Sequence, residues 1–166
     1  MRLRVNMNAM RRVFILALLL PFSAAMAAQT SDSPAVSKLM KHAKTHAAAA
    51  YDNALNLESY WRIGKTWHGH DTCLREISDE LKMMDEDLSR LNAIRKEGSP
   101  QQQEAIDSLN LVLISARDQL AATVRYLRTH LEQVQMPPYR ELIHTSRLSI
   151  ERTHAMFEGS ASSHGQ

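Results

Sequence analysis

The sequence has one cysteine, Cys73, so no disulfide can form within the chain and stability must come from packing. Glycine and proline are scarce, five of each in 166 residues, and only 5% of the chain is aromatic. With few β-branched runs and abundant Ala, Leu, Gln and Glu, those shortages favour helix over sheet. Enzymatic signatures are missing too: no Gly-rich phosphate loop, no nucleophile elbow and no His-Glu-x-x-His pair. Without Cys-x-x-Cys-His, covalent c-type haem attachment is excluded.

Positive charge is concentrated at the start. Arg2, Arg4, Arg11 and Arg12 precede an apolar run from Val13 to Leu20, then Pro21 and a small-residue stretch containing Ala25-Met26-Ala27. This order is that of a secretory signal peptide over residues 1–27, with Ala25 and Ala27 at the cleavage site. The apolar run falls short of the roughly 20 residues a membrane-spanning helix needs. The leader holds four of the 20 basic residues and none of the 18 acidic ones, so the remainder carries a net −2. A chain without a basic excess lacks the footprint for nucleic acid. Periplasmic or secreted location is therefore expected, with no membrane span after cleavage.

Residues 28–32 read as a disordered lead-in and 33–158 as one helical domain. Ser33 and Pro34 open the first helix, over 34–63. Its apolar stripe, Val36, Met40, Ala43, Ala47, Ala50, Ala54, Leu57 and Trp61, alternates spacings of four and three. Gly64 stands where a left-handed cap is wanted. Thr66 caps a second helix over 67–97, whose stripe is Trp67, His70, Leu74, Ile77, Leu81, Met84, Leu88 and Leu91. Asp71 with Arg75, and Glu86 with Arg90, form i,i+4 pairs on its outer face. Gly98 ends it. Ser99-Pro100-Gln101-Gln102 is a capping-box signature opening a third helix over 100–135, whose stripe is Ile106, Leu109, Leu113, Ala116, Leu120, Val124, Leu127, Leu131 and Val134. Pro137-Pro138 stops that helix and starts a fourth over 138–158, with Tyr139, Ile143, Ser146, Ile150 and Phe157 inward. Residues 159–166 read as a disordered tail. Sustained seven-residue repeats, as in coiled coils, and short connections predict an all-α, up-down antiparallel four-helix bundle. A bent three-helix hairpin with a docked C-terminal helix is the alternative.

Few residues suggest chemistry. His42 and His46, four apart on one face, have metal-ligand spacing, but they flank the apolar stripe and no neighbouring carboxylate or thiol completes a tetrahedron. Solvated boundary histidines are the plainer reading. His68, His70, Asp71 and Cys73 are the densest group of potential ligands, yet 68 and 70 diverge by about 200° on a helix. His70 reads as a structural seam histidine, and Cys73 as a free thiol with intermolecular pairing as the alternative. Met40 and His154 would meet at one end of an antiparallel bundle, as a haem pair does in small b-type cytochromes of that architecture. Asp79, Glu80, Asp85 and Glu86 have the spacing of a solvated face. Leu111 points almost opposite the third helix's seam, and Ile114 lies well off it, which marks a surface for a protein partner or self-association.

From about Trp61 to Arg147 the chain resembles a family of short secreted all-helical proteins with no assigned activity. The resemblance rests on Trp67 followed by His70, on Ser99-Pro100-Gln101-Gln102-Gln103-Glu104-Ala105-Ile106-Asp107, and on Pro138-Tyr139-Arg140-Glu141. These look like the family's openings of the second, third and fourth helices. The resemblance implies the same bundle and supplies no substrate, cofactor or catalytic position. The Leu-Thr-x-x-Gln signature of envelope-stress and metal-sensing helical hairpins is absent. The sequence thus predicts an exported, non-enzymatic bundle acting by protein contact or self-association in the cell envelope. No cofactor is expected, and the alternative is a periplasmic metal- or haem-binding four-helix protein.

Overall fold

A computed structural model describes residues 31–63 and 66–162, with side chains through 159. The expected leader, with Ala25 and Ala27 at its expected cleavage site, and the expected cap position Gly64 lie outside the described residues. Four long helices follow in order: α1 Pro34–Ile63, α2 Trp67–Ala93, α3 Pro100–Thr129 and α4 Pro137–Ser162. Single 3₁₀ turns, Arg95–Glu97 and Leu131–Gln133, finish the second and third. The fold is an all-α four-helix bundle. Among the described residues no helix is long and apolar enough to cross a membrane.

Cross-helix contacts show that each neighbouring pair runs antiparallel. Going up α1, His42 meets Asp87 and His46 meets Glu80, so α2 runs down. Arg117 reaches Asp85 and Asn110 reaches Asn92, which turns α3 against α2. Ser115 bonds Ser149 while Thr123 bonds Ser146, reversing α4 against α3. Lys44 meets Glu158 while Arg147 meets Glu58, which closes α4 back onto α1. The fourth helix lies along both α1 and α3, as a bundle requires and a loosely docked tail would not.

The stripes fill the interior. Val36, Ala43, Ala47, Ala50, Ala54 and Leu57 of α1 are buried, as is every α2 stripe residue from His70 to Leu91. All five inward residues expected of α4 are buried, joined by Ser149 and Thr153. The hydroxyls are satisfied locally: Thr123 bonds Ser146 at 2.8 Å, and Thr153 donates to the Ser149 carbonyl at 3.0 Å. Four alanines on α1 keep its side chains short, so its backbone can approach α2 closely, and these two helices make the most extensive contact in the bundle.

The helix ends depart from expectation in instructive ways. The second helix stops at Ala93, and the chain tightens into its 3₁₀ turn before Gly98, which is extended at φ −80° and ψ 154°. The third stops at Thr129, because His130 leaves the helical region at φ −138° and ψ 51°. Its periodicity survives the break only in part, with Val134 buried and Leu131 exposed. The fourth starts at Pro137 and runs to Ser162, so helix continues through Gly159 into the segment expected to be a disordered tail. Thr66 precedes α2 without a capping bond, its hydroxyl lying 3.3 Å from the Tyr60 hydroxyl instead. Arg75 pairs with Asp71 as expected, but Arg90 meets Asp87, not Glu86.

The capping box forms as read. Gln102 N–H donates to Ser99 Oγ at 3.2 Å, and Gln102 Oε1 accepts from Ser99 N–H at 3.1 Å. It also does more. The same Oε1 accepts from Ser33 N–H at 2.9 Å, while Nε2 donates to the Ser33 carbonyl at 3.2 Å and to Ser37 Oγ at 3.0 Å. Asp32, placed in the lead-in by sequence, accepts from Ser99 Oγ at 2.6 Å. One glutamine therefore ties the N-terminus of α3 to that of α1.

Candidate metal centre

The close α1–α2 approach places polar flanks of both helices against each other. His42 and His46 stand beside Ala43 and Ala47, and their rings lie edge to face with centroids 4.8 Å apart. From α2, Asp87 Oδ2 comes to 2.6 Å from His42 Nδ1, and Glu80 Oε2 to 2.7 Å from His46 Nδ1. The expectation that no carboxylate stands near these histidines is corrected: two do, both from the other helix. Glu80, assigned by spacing to a solvated face, belongs to this cluster.

Burial is uneven across the group. Asp87 keeps 1% of its side-chain surface exposed, while His42 keeps 53%. His46 and Glu80 are intermediate. A carboxylate so enclosed must be compensated, and the groups that reach it are the His42 ring and the Arg90 guanidinium, whose Nη1 lies 3.5 Å from Asp87 Oδ1. An ionised carboxylate only accepts, so Glu80 requires the proton of His46 to sit on Nδ1. That leaves Nε2 of His46, buried and without a hydrogen-bond partner among the described residues, as a lone pair or an unpaired donor. One donor atom from each of His42, His46 and Asp87 can be chosen so that all three lie within 4.8 Å of one another.

Two imidazoles and a carboxylate suit zinc and its neighbours in the first transition row, which bind imidazole nitrogen and carboxylate oxygen at about 2.0–2.2 Å. Glu80 on the far nitrogen of His46 is the outer carboxylate that orients a ligating histidine and raises its basicity. A cation between His42 and Asp87 would take the place of the proton they share.

The other nominated residues do not converge. His70 is fully buried, with its ring edge-on to Tyr60 at 5.0 Å and to Tyr139 at 5.3 Å. His68 lies on Trp67, centroids 3.6 Å apart. Neither joins Asp71 or Cys73 in a ligand cluster among the described residues, and Cys73 is a half-buried free thiol. Burial, and secondarily the charge of Glu76, raise its pKa. Of the haem pair, each residue has other neighbours. His154 stacks on Tyr51 at 5.3 Å and lies 3.5 Å from Glu158. Met40 instead borders a surface hollow with Met156 and Gly159. Leu111 and Ile114 are 71% and 56% exposed, as their place off the seam predicts.

Fold and site together define an antiparallel four-helix bundle with a histidine–carboxylate cluster between its first two helices. No protein-family model, curated protein or solved structure matches the chain.

Proposed function

We propose that this chain is an exported, non-enzymatic helical protein that binds a divalent transition-metal ion, zinc by chemistry, through His42, His46 and Asp87. The observation that carries the reading is the pairing of a buried carboxylate with two histidines one helical turn apart, the inner one backed by Glu80. Three protein ligands leave a position for water or a partner's side chain, which suits an exchangeable ion better than a purely structural one. Charged start, short apolar centre and small-residue exit of residues 1–27 support an envelope or secreted location.

Calorimetric titration of the purified chain with zinc, after chelator treatment, tests the reading. One equivalent should bind, with affinity falling as pH drops and protons compete for the histidines. Asp87→Asn and His46→Ala should each lower affinity by at least about tenfold, and Glu80→Gln by about tenfold. Wild-type chain taking up no ion, or binding it equally after Asp87→Asn, would end the proposal.

A second reading, protein contact, is favoured by Leu111 and Ile114, one turn apart and largely bare on α3. Sedimentation of the chain with and without Leu111→Ser plus Ile114→Ser checks it. Self-association that survives both changes places the contact elsewhere.

A further inference from the structure

The helices of the bundle do not close equally. Of the neighbouring pairs, α2 and α3 touch least, and a cleft of 710 Å³ opens between them. That is the volume of a small-molecule site, which typically spans about 300–1,000 Å³. It runs along α3 from Arg117 to Thr129, roughly 18 Å at the helical rise. Leu81 and Leu120 form the floor and Val124 part of a wall, while Lys82, Arg125 and Arg128 stand on the rim.

Several cations of the chain are matched, Arg75 with Asp71, Arg95 with Asp107, Lys44 with Glu158 and Arg147 with Glu58, whereas Lys38, Lys41, Lys96 and Arg152 stand unmatched among the described residues, away from the cleft. Lys82, Arg125 and Arg128 make no ion pair among the described residues. Arg125 and Arg128, three apart, share a face of α3. The chain beyond its leader is net acidic, so three unmatched cations around one cleft are not a by-product of general basicity. The single acid in the lining, Asp85, is held by Arg117 at 2.7 Å at the opposite end.

We propose that the α2–α3 cleft binds a single-chain carboxylate amphiphile of the fatty-acid class. Its carboxylate is held by Arg125 and Arg128, whose planar forks match it, and its alkyl chain lies over Leu81, Leu120 and Val124. Asp85 sets the direction, because a carboxylate at the Arg117 end would face a like charge. One alkyl chain fits the cleft; a two-chain phospholipid exceeds it. The site is on the far side of α2 from the histidine cluster and is independent of metal.

Equilibrium dialysis of the full chain against dodecanoate, below its micellar concentration and with chelator present, is the test. One molecule should bind, and neutral dodecyl maltoside should not displace it. Arg125→Glu with Arg128→Glu should weaken binding by at least about tenfold, whereas Arg152→Glu on α4 should leave it unchanged. If the double reversal disturbs helix content, Arg125→Gln with Arg128→Gln removes the charges more gently and should still cost several-fold. Three results would overturn the proposal: no binding of dodecanoate, equal binding by the charge-reversed or charge-removed chain, or displacement by the maltoside. Arg125- and Arg128-dependent attachment to phosphatidylglycerol vesicles without dodecanoate uptake would also overturn it, by making the rim a membrane-facing strip.

Discussion

Replacing Gln102 by alanine should loosen two helices at once. Its amide makes four hydrogen bonds that alanine cannot: Oε1 receives the Ser33 and Ser99 N–H groups, and Nε2 reaches the Ser33 carbonyl and Ser37 Oγ. Gln102 itself is 7% exposed, so water replaces the lost partners poorly. At a net 0.5–1.5 kcal/mol per bond, with the outer ones partly rehydrated, the loss is about 2–4 kcal/mol. For a domain of this size that is a fall in Tm of roughly 10 °C. Gln102→Glu keeps the acceptor, loses the two donations and sets a negative charge at two helix N-termini, so it should cost clearly less. Urea unfolding followed by circular dichroism measures both, with the m-value expected to hold. Ser99→Ala should be non-additive with Gln102→Ala, since both break the same box. A cost below about 1 kcal/mol for Gln102→Ala, or simple additivity with Ser99→Ala, would refute the idea that this side chain couples α1 to α3.

Gly69→Ala should destabilise by about 1 kcal/mol despite alanine's better helix propensity, because its methyl would run into the Tyr60 ring. In a Tyr60→Ala background the same change should become stabilising, and thermal melts of the four chains decide it. Ala47→Leu forces a large side chain into the α1–α2 seam, where Ala47 is 1% exposed, and should cost about 1–3 kcal/mol. It should also weaken zinc binding by moving His46 from Glu80, and unaltered titration would show that the seam does not set the site. Cys73 should alkylate more slowly at pH 8 than a free thiol, since burial first and Glu76 second disfavour its thiolate. Glu76→Gln should quicken the reaction, and equal rates would remove Glu76 from the explanation.

The seven-residue stripes made the four helices legible because burial in a bundle depends on little besides period. Proline and glycine punctuation located three of the openings, and Ser99 with Gln102 behaved as their spacing implies. The end of α3 was not legible, since Leu131 and Val134 continue the stripe and nothing before Pro137 signals a stop. His130 breaks the helix there without a sequence signal strong enough to predict it. The site was half legible. His42 and His46 stood out by spacing, whereas Asp87 hid among the acids of α2. A signal for it existed: Asp87 and His42 both border their seams and lie nearly equidistant in sequence from the 64–66 connection. An antiparallel pair folded at that point brings them face to face, but only once the close approach allowed by alanine is taken into account.

That approach has a further price in mechanical terms. A stripe of methyl groups fits tightly yet removes little oily surface from water, so α1 has Val36 and Leu57 as its only large fully enclosed anchors. Close backbone contact with α2 has to make up for the small area buried, and hydrogen exchange of the α1 amides reads how far it does so. An ion gripping His42 and His46 on one side and Asp87 on the other would rivet the strut with the fewest large anchors to its neighbour, adding a bond where oily surface is scarce.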